Sequence, residues 1–360
     1  MKALKIYAGP KALAHMTQNG LLPQHISVVP GAAGGPKGLI LGPMDRYLFG
    51  QWLPRSTQPL DLVGASIGAW RMATACLNNP VGELQALEDA YIHQHYELQP
   101  GQTRPTPKQV SDDFKANLQG FYSGRIHQVL QHPRYRLHVV TSHGRGILHR
   151  DGSLRTPLGY AGAYLSNLVH RRAMGVWLER VVFSSPFMGV PQPLPFSAKD
   201  YKTRHFALTE NNFLAAVQAS CAIPFVLEPV HDIPEAPRGA YWDGGITDYH
   251  LHLDYRAARG LTLYPHFQKS VVPGWLDKAL KWRHHSTSFL DSTIVLAPNP
   301  DWVKTLPHGK LPDRSDFVTY GQDLAARVSV WQQAVREADR LSDELAQWLM
   351  RPDMHLVEPL

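Results

Sequence analysis

Cysteine is nearly absent. The 360-residue chain has two, Cys76 and Cys221. Two thiols cannot build a disulfide framework, and neither stands in a metal-ligand spacing. Both sit among small apolar residues and are expected to be buried thiols. No run of 18 apolar residues occurs, so no membrane-spanning helix is expected. Met1 to Pro10 holds no long apolar core and no cleavage-site pattern, so no secretory leader is expected. Lys and Arg number 36 against 30 Asp and Glu, a formal net charge of +6. This excess favours anionic surfaces, but it is scattered, and no basic run suggests a nucleic-acid partner. The phosphate-binding patterns G-x-x-x-x-G-K-[ST] and G-x-G-x-x-G are missing. His93 and His95, two apart, do not share a helix face. No metal and no cofactor is therefore expected. The location expected is cytoplasmic, free or peripheral to a membrane.

Apolar residues make up 44% of the chain and charged residues 18%, a globular composition with material for a sizeable core. The most informative stretch is Pro59 to Cys76. Leu60 to Val63 reads as a buried strand, Gly64-Ala65-Ser66-Ile67-Gly68 as a tight turn, and the residues to Leu77 as a helix. A G-x-S-x-G between strand and helix is the setting in which a serine is held in strained geometry at the strand end as a nucleophile. The flanking glycines permit a close strand–helix approach that a Cβ would block. A similar unit precedes it: a strand at His25–Pro30, the loop Gly31-Ala-Ala-Gly-Gly-Pro-Lys-Gly38, then a helix from Leu39 to Phe49. Two such units in succession predict neighbouring parallel strands under helices, an α/β fold. The glycine loop is expected to supply an oxyanion hole. Pro36 has no N–H, so its donors would come from Gly34, Gly35, Lys37 or Gly38.

Residues 1–25 read as an irregular or short helical lead-in. Helices are expected at Val81–Tyr96, Phe114–Gln131, Tyr160–Trp177 and Asn211–Ala219, with Arg171 and Arg172 on a solvated side. Gln99–Lys108 reads as a flexible loop, and residues 81–135 as a cap over the site. Strands are expected at Arg136–Thr141, Arg180–Phe183, His205–Thr209, Ala240–Asp243 and Ser292–Ala297. In 271–285, Trp275, Leu276 and Leu280 could form an apolar face ringed by Lys278, Lys281 and Arg283. That is the composition of a helix lying on an anionic membrane, or of a surface helix packed on the sheet. Residues 321–350 repeat apolar positions at helical spacing from Leu324 to Trp348, for packing on the core or for a homo-oligomer contact.

Four segments resemble, in kind and order, the patatin-like phospholipase family: Gly34-Gly35-Pro36-Lys37-Gly38, Gly64-Ala65-Ser66-Ile67-Gly68, Ala219-Ser220-Cys221-Ala222-Ile223-Pro224 and Asp243-Gly244-Gly245. The resemblance covers roughly residues 25–250. Ala33 stands where the family often has a first glycine. The resemblance implies a three-layer α/β/α sandwich related to cytosolic phospholipase A2, with a mostly parallel central sheet. It implies Ser66 as nucleophile, Asp243 as base, and an oxyanion hole from the amides of Gly34, Gly35 and Lys37. It implies metal-free hydrolysis of lipid or other carboxylic esters through an acyl-enzyme. The acyl-hydrolase domain would occupy 1–310, with a helical extension over 311–360. Two alternatives stand beside it. One is a Ser–His–Asp triad on an ordinary α/β-hydrolase, with His250, His252 or His308 as base. The other is a non-catalytic member of the fold that binds lipid or protein.

Overall fold

The structure is a computed structural model describing residues 1–98 and 100–360. Gln99, the first residue of the expected flexible loop, lies outside the described residues. Eleven strands form one sheet: β1 (Leu4–Ala8), β2 (Ile26–Gly31), β3 (Leu60–Ala65), β4 (Tyr135–Gly144), β5 (Leu178–Ser184), β6 (Thr203–Ala207), β7 (Val230–His231), β8 (Ala240–Asp243), β9 (Leu261–Pro265), β10 (Thr293–Pro298) and β11 (Val357–Pro359). Their order is β11-β1-β10-β9-β2-β3-β4-β5-β6, with β8 added on β4 and β7 on β8. The run β10-β9-β2-β3-β4 is parallel, and β1, β5 and β8 join antiparallel. The chain is thus an α/β protein with a mostly parallel central sheet and helices. β3 and β4 are buried at every residue, as strands covered on both faces require.

The strand β4 is the ruler that sets the site. Along one edge it pairs with β3, the last partners being Ala65 and Val140. On the next residues β8 takes over, running the opposite way, with Asp243 opposite Thr141. Two strands therefore point at each other along one edge and stop between Val140 and Thr141. Ser66 follows one end, and Asp243 is the other. Crowding at this junction excludes a Cβ at 244, and the packing of the elbow helix excludes one at 64 and 68. A Cβ on Gly244 would overlap the Val140 carbonyl, one on Gly64 the backbone of Ala69, and one on Gly68 the Gly31 carbonyl.

Residues 311–360 are continuous with the core. Strand β11 pairs with β1 at the sheet edge. The helix Leu324–Met350 buries Ala338, Leu341, Leu345 and Trp348 in the same cluster as the sheet, so its apolar face is used within the chain. Several expectations are corrected. The lead-in contains β1 and a helix at Pro10–Asn19, and β9 has no counterpart in the sequence reading. The five residues of β1 become a strand by pairing with β10 and β11, both distant in sequence. The segment 271–285 is not a helix. It makes two short turns, Trp275–Asp277 and Lys281–Arg283. Buried Asp277 gathers Asn167 Nδ2 at 2.8 Å, Arg283 Nη1 at 2.9 Å and Arg171 Nη1 at 3.3 Å, and the segment winds around that carboxylate. Leu280 is buried, while Trp275 and Leu276 are half-buried and packed inward. Arg171 is not solvated but also reaches Asp248 at 3.2 Å.

Gly68→Ala tests the close approach of elbow helix and β2. The substitution forces two backbones apart and is expected to destabilise the fold by about 3 kcal/mol. Chemical denaturation checks this, and a loss below about 1 kcal/mol would contradict the packing described.

Candidate active site

Ser66 caps the helix Ile67–Ala75 with φ 56° and ψ −133°. A non-glycine residue holds such a conformation only where its surroundings enforce it. Those surroundings are the Ala219–Pro224 segment. The Ser66 amide donates to Ser220 Oγ at 2.9 Å, and Ser220 Oγ donates to the Val140 carbonyl at 2.7 Å. The same segment accepts from the other strand end: Asp243 N donates to the Ala222 carbonyl at 2.9 Å and Gly244 N to the Ser220 carbonyl at 3.1 Å. Ser220 thus ties the elbow and the acid to one another.

Ser66 Oγ donates to Asp243 Oδ2 at 2.7 Å. The other carboxylate oxygen, Oδ1, accepts from Gly245 N at 2.7 Å. Both residues are buried. Burial pushes the Asp243 carboxyl up to about 6, against the Ser66 hydrogen bond and the charge of Arg314, which favour ionisation. A carboxylate so placed can take a proton from the hydroxyl near neutral pH. Of the three expected alternative bases, His250 accepts from Val272 N at 3.0 Å, His252 Nε2 meets Thr287 Oγ1 at 2.8 Å, and His308 Nε2 meets Tyr320 Oη at 2.8 Å. Burial and neighbouring His266 push His250 far below the usual imidazole range.

The glycine loop lies beside the serine. Ala33 N is anchored on the Tyr249 carbonyl at 3.0 Å, and a 3₁₀ turn starts at Gly35. In such a turn each amide bonds the carbonyl three residues back. The amides of Lys37 and Gly38 are thereby engaged by Gly34 and Gly35, while those of Gly34 and Gly35 have no acceptor within the turn. Gly35 has φ +57°, and a Cβ on Gly34 would strike the Phe267 ring. Gly34, Gly35 and Lys37 line the cavities that reach Ser66. Gly38 does not; it lines a separate void of about 30 Å³ near Ile67 and Arg71. Of the four residues expected to form an oxyanion hole, Gly34 and Gly35 are the two whose amides have no acceptor within the turn.

Two cavities meet at Ser66. One, of about 580 Å³, is walled by Trp70, Val110, Phe114, Leu227 and Phe317. The other, of about 310 Å³, is lined by two carboxylates, Asp243 and Asp313, and three cations, Lys37, Lys278 and Arg314. None of the three makes an ion pair within 4.0 Å among the described residues. Lys278 is exposed as a residue, but its ammonium lies 4.1 Å from the Tyr249 ring centroid. Burial, then the charges of Arg314 and Lys37, pull it down to about 8. The Arg314 guanidinium lies over Gly35, where Nε would be 3.1 Å from an added Cβ. The sequence offered no signal for Lys278 or Arg314 as site residues, because neither belongs to a motif and Arg314 comes from the expected C-terminal extension. No protein-family model matches the chain, and no curated protein matches it.

The raised carboxyl has a stability consequence. A free aspartate titrates near 3.8. Between about pH 4 and pH 6 the unfolded chain loses this proton before the folded one does, so folding is progressively weakened. The cost is complete above pH 6 and absent below pH 4. At about 1.4 kcal/mol per pH unit it reaches roughly 3 kcal/mol. Asp243→Asn is expected to melt above wild type at pH 8 and level with it at pH 4. Superimposable melts at both pH values would show that the carboxyl is not held as described.

Proposed function

We propose that the chain is a serine acyl hydrolase of patatin-like type, cleaving carboxylic esters of lipids. The observation that carries this reading is the 2.7 Å hydrogen bond from Ser66 Oγ to a buried Asp243. The glycine loop beside it, the strained elbow and the order of the four motif segments support the same reading. So does the mostly parallel sheet, which suits the three-layer sandwich of that family. The expected serine–histidine alternative lacks a histidine bonded to Ser66 among the described residues.

In this mechanism Ser66 Oγ attacks the acyl carbon while Asp243 takes the hydroxyl proton. The tetrahedral oxyanion meets the amides of Gly34 and Gly35. Collapse breaks the ester bond, and the departing alkoxide receives the proton from Asp243. The acyl-enzyme is then opened by water: Asp243 takes the water proton, and Ser66 regains a proton as the carboxylic acid leaves. The two cavities suggest how a substrate lies. Its acyl chain fills the apolar arm, and an anionic group on the alcohol side meets Lys37, Lys278 and Arg314. Three cations face two carboxylates there, Asp243 and Asp313, without a direct ion pair to either, and an anion on the substrate would add to the opposing charge.

The test is covalent labelling by a fluorophosphonate. Wild type is expected to label. Ser66→Ala should abolish labelling and Asp243→Asn should slow it by about a thousandfold, with the rate in wild type rising as pH passes through about 6. Labelling that survives Asp243→Asn would remove the dyad. For the anionic arm, Arg314→Gln is expected to raise KM about tenfold for an ester with a phosphate on its alcohol, leaving a neutral ester of the same acyl chain unchanged. Equal effects on both esters would remove Arg314 from substrate recognition.

A further inference from the structure

The inward side of the helix Arg155–Val169 mixes the core residues Gly159, Tyr160 and Ala163 with the polar Thr156 and Asn167, and Asn167 is spent on Asp277 and Arg283. Its outward side is apolar along its whole length: Leu154 at the N-cap is 75% exposed, Leu158 63%, Leu165 62% and Val169 83%, with Pro157, Ala161 and Leu168 between them. A helix packed on a soluble core shows the reverse pattern, and a contiguous exposed apolar face marks an interaction surface.

The charge around this face has one sign. No Asp or Glu occurs between Asp151 and Glu179, a stretch that carries Arg155, Arg171 and Arg172. The turn Lys281–Arg283 lies against the C-terminal end of the helix, tied by Arg283 Nη1 to Asn167 Oδ1 at 3.2 Å and Nη2 to the Leu168 carbonyl at 3.3 Å. It adds exposed Lys281 and Trp282, the latter 65% exposed. The inward side of the helix leads toward the site. Tyr160 packs edge-on against exposed Phe225 at 6.0 Å between ring centroids, and the next residue, Val226, is exposed and lines the apolar cavity at Ser66.

We propose that this outward helix face, with Trp282 and Lys281, docks the chain on an anionic phospholipid bilayer. Apolar side chains would enter the acyl boundary while Arg155, Arg172 and Lys281 meet the headgroups. A second copy of the chain fits less well. A two-fold contact would set these cations against their own counterparts, and this face has no carboxylate to receive them. The bilayer supplies both an apolar interior and negative charge. Of the segment 271–285, where a membrane contact was expected, Lys281 and Trp282 would take part. The proposal concerns docking and holds whether or not Ser66 turns over an ester.

The test is co-sedimentation of the full chain with vesicles of phosphatidylcholine alone and of phosphatidylcholine mixed with phosphatidylglycerol. Wild type is expected to bind the mixed vesicles at least tenfold better than the neutral ones, with binding weakened by added salt. The double variant Leu158→Ser, Leu165→Ser should lose at least tenfold, while its melting temperature and its labelling rate by a soluble fluorophosphonate stay at the wild-type values. Arg155→Glu with Lys281→Glu should remove the preference for anionic vesicles. The proposal is overturned if wild type binds neither vesicle, if the serine variant binds as wild type does, or if light scattering shows a wild-type dimer that the serine variant abolishes.

Discussion

The site depends on two strand ends meeting head-on along one edge of β4. β3 arrives parallel and stops opposite Val140, and β8 arrives antiparallel and stops opposite Thr141. Because neighbouring positions on a strand are about 3.3 Å apart, a hydroxyl carried past one end and a carboxylate carried on the other come within hydrogen-bond reach without a connecting loop. The Ser220 hydroxyl, bonded between the Ser66 amide and the Val140 carbonyl, sits at this junction. Glycine at 244 follows from the same crowding, while glycine at 64 and at 68 follows from the close packing of the elbow helix on β3 and β2. Burial at this junction raises the Asp243 carboxyl. If that carboxyl is the base of the proposed reaction, its use near neutral pH and its cost to folding have one physical origin.

Charges in this molecule fall into two groups. Most buried ones are paired: Arg180 with Asp248 and Asp200, Arg71 with Asp45, and Asp277 with Asn167, Arg171 and Arg283. These satisfied groups hold the layers in register, since leaving one of a pair buried alone would be costly. Lys37, Lys278 and Arg314 are different. They converge on the cavity at Ser66, and their lowered lysine pKa values record desolvation and, for Lys278, crowding by the other two cations. An apolar cavity also meets Ser66, and in the proposed function the two arms would receive the two ends of an amphiphilic ester. The outward apolar face of Arg155–Val169 would present the same chemistry at a larger scale, joining an apolar layer and a negative one.

Asp243 was singled out only by the family resemblance, whereas local order in the sequence determined the elbow, the glycine loop and the burial of both thiols and pointed to Ser66. Each of these is written in a short stretch, where a strand, a glycine-bearing turn and a helix follow one another, and short-range sterics decide the outcome. Only the tertiary structure decided the rest. It made a strand of Leu4–Ala8 by giving it β10 and β11 as partners. It wound 271–285 around Asp277, because a buried carboxylate demands donors more strongly than Trp275, Leu276 and Leu280 demand an outer face. It engaged the amides of Lys37 and Gly38, two of the expected oxyanion donors, by closing a 3₁₀ turn on them. It drew Arg314 from far down the chain to lie over Gly35. Contacts between residues hundreds of positions apart leave no periodicity or spacing to read, and the cationic arm and the outward-facing helix are made of such contacts.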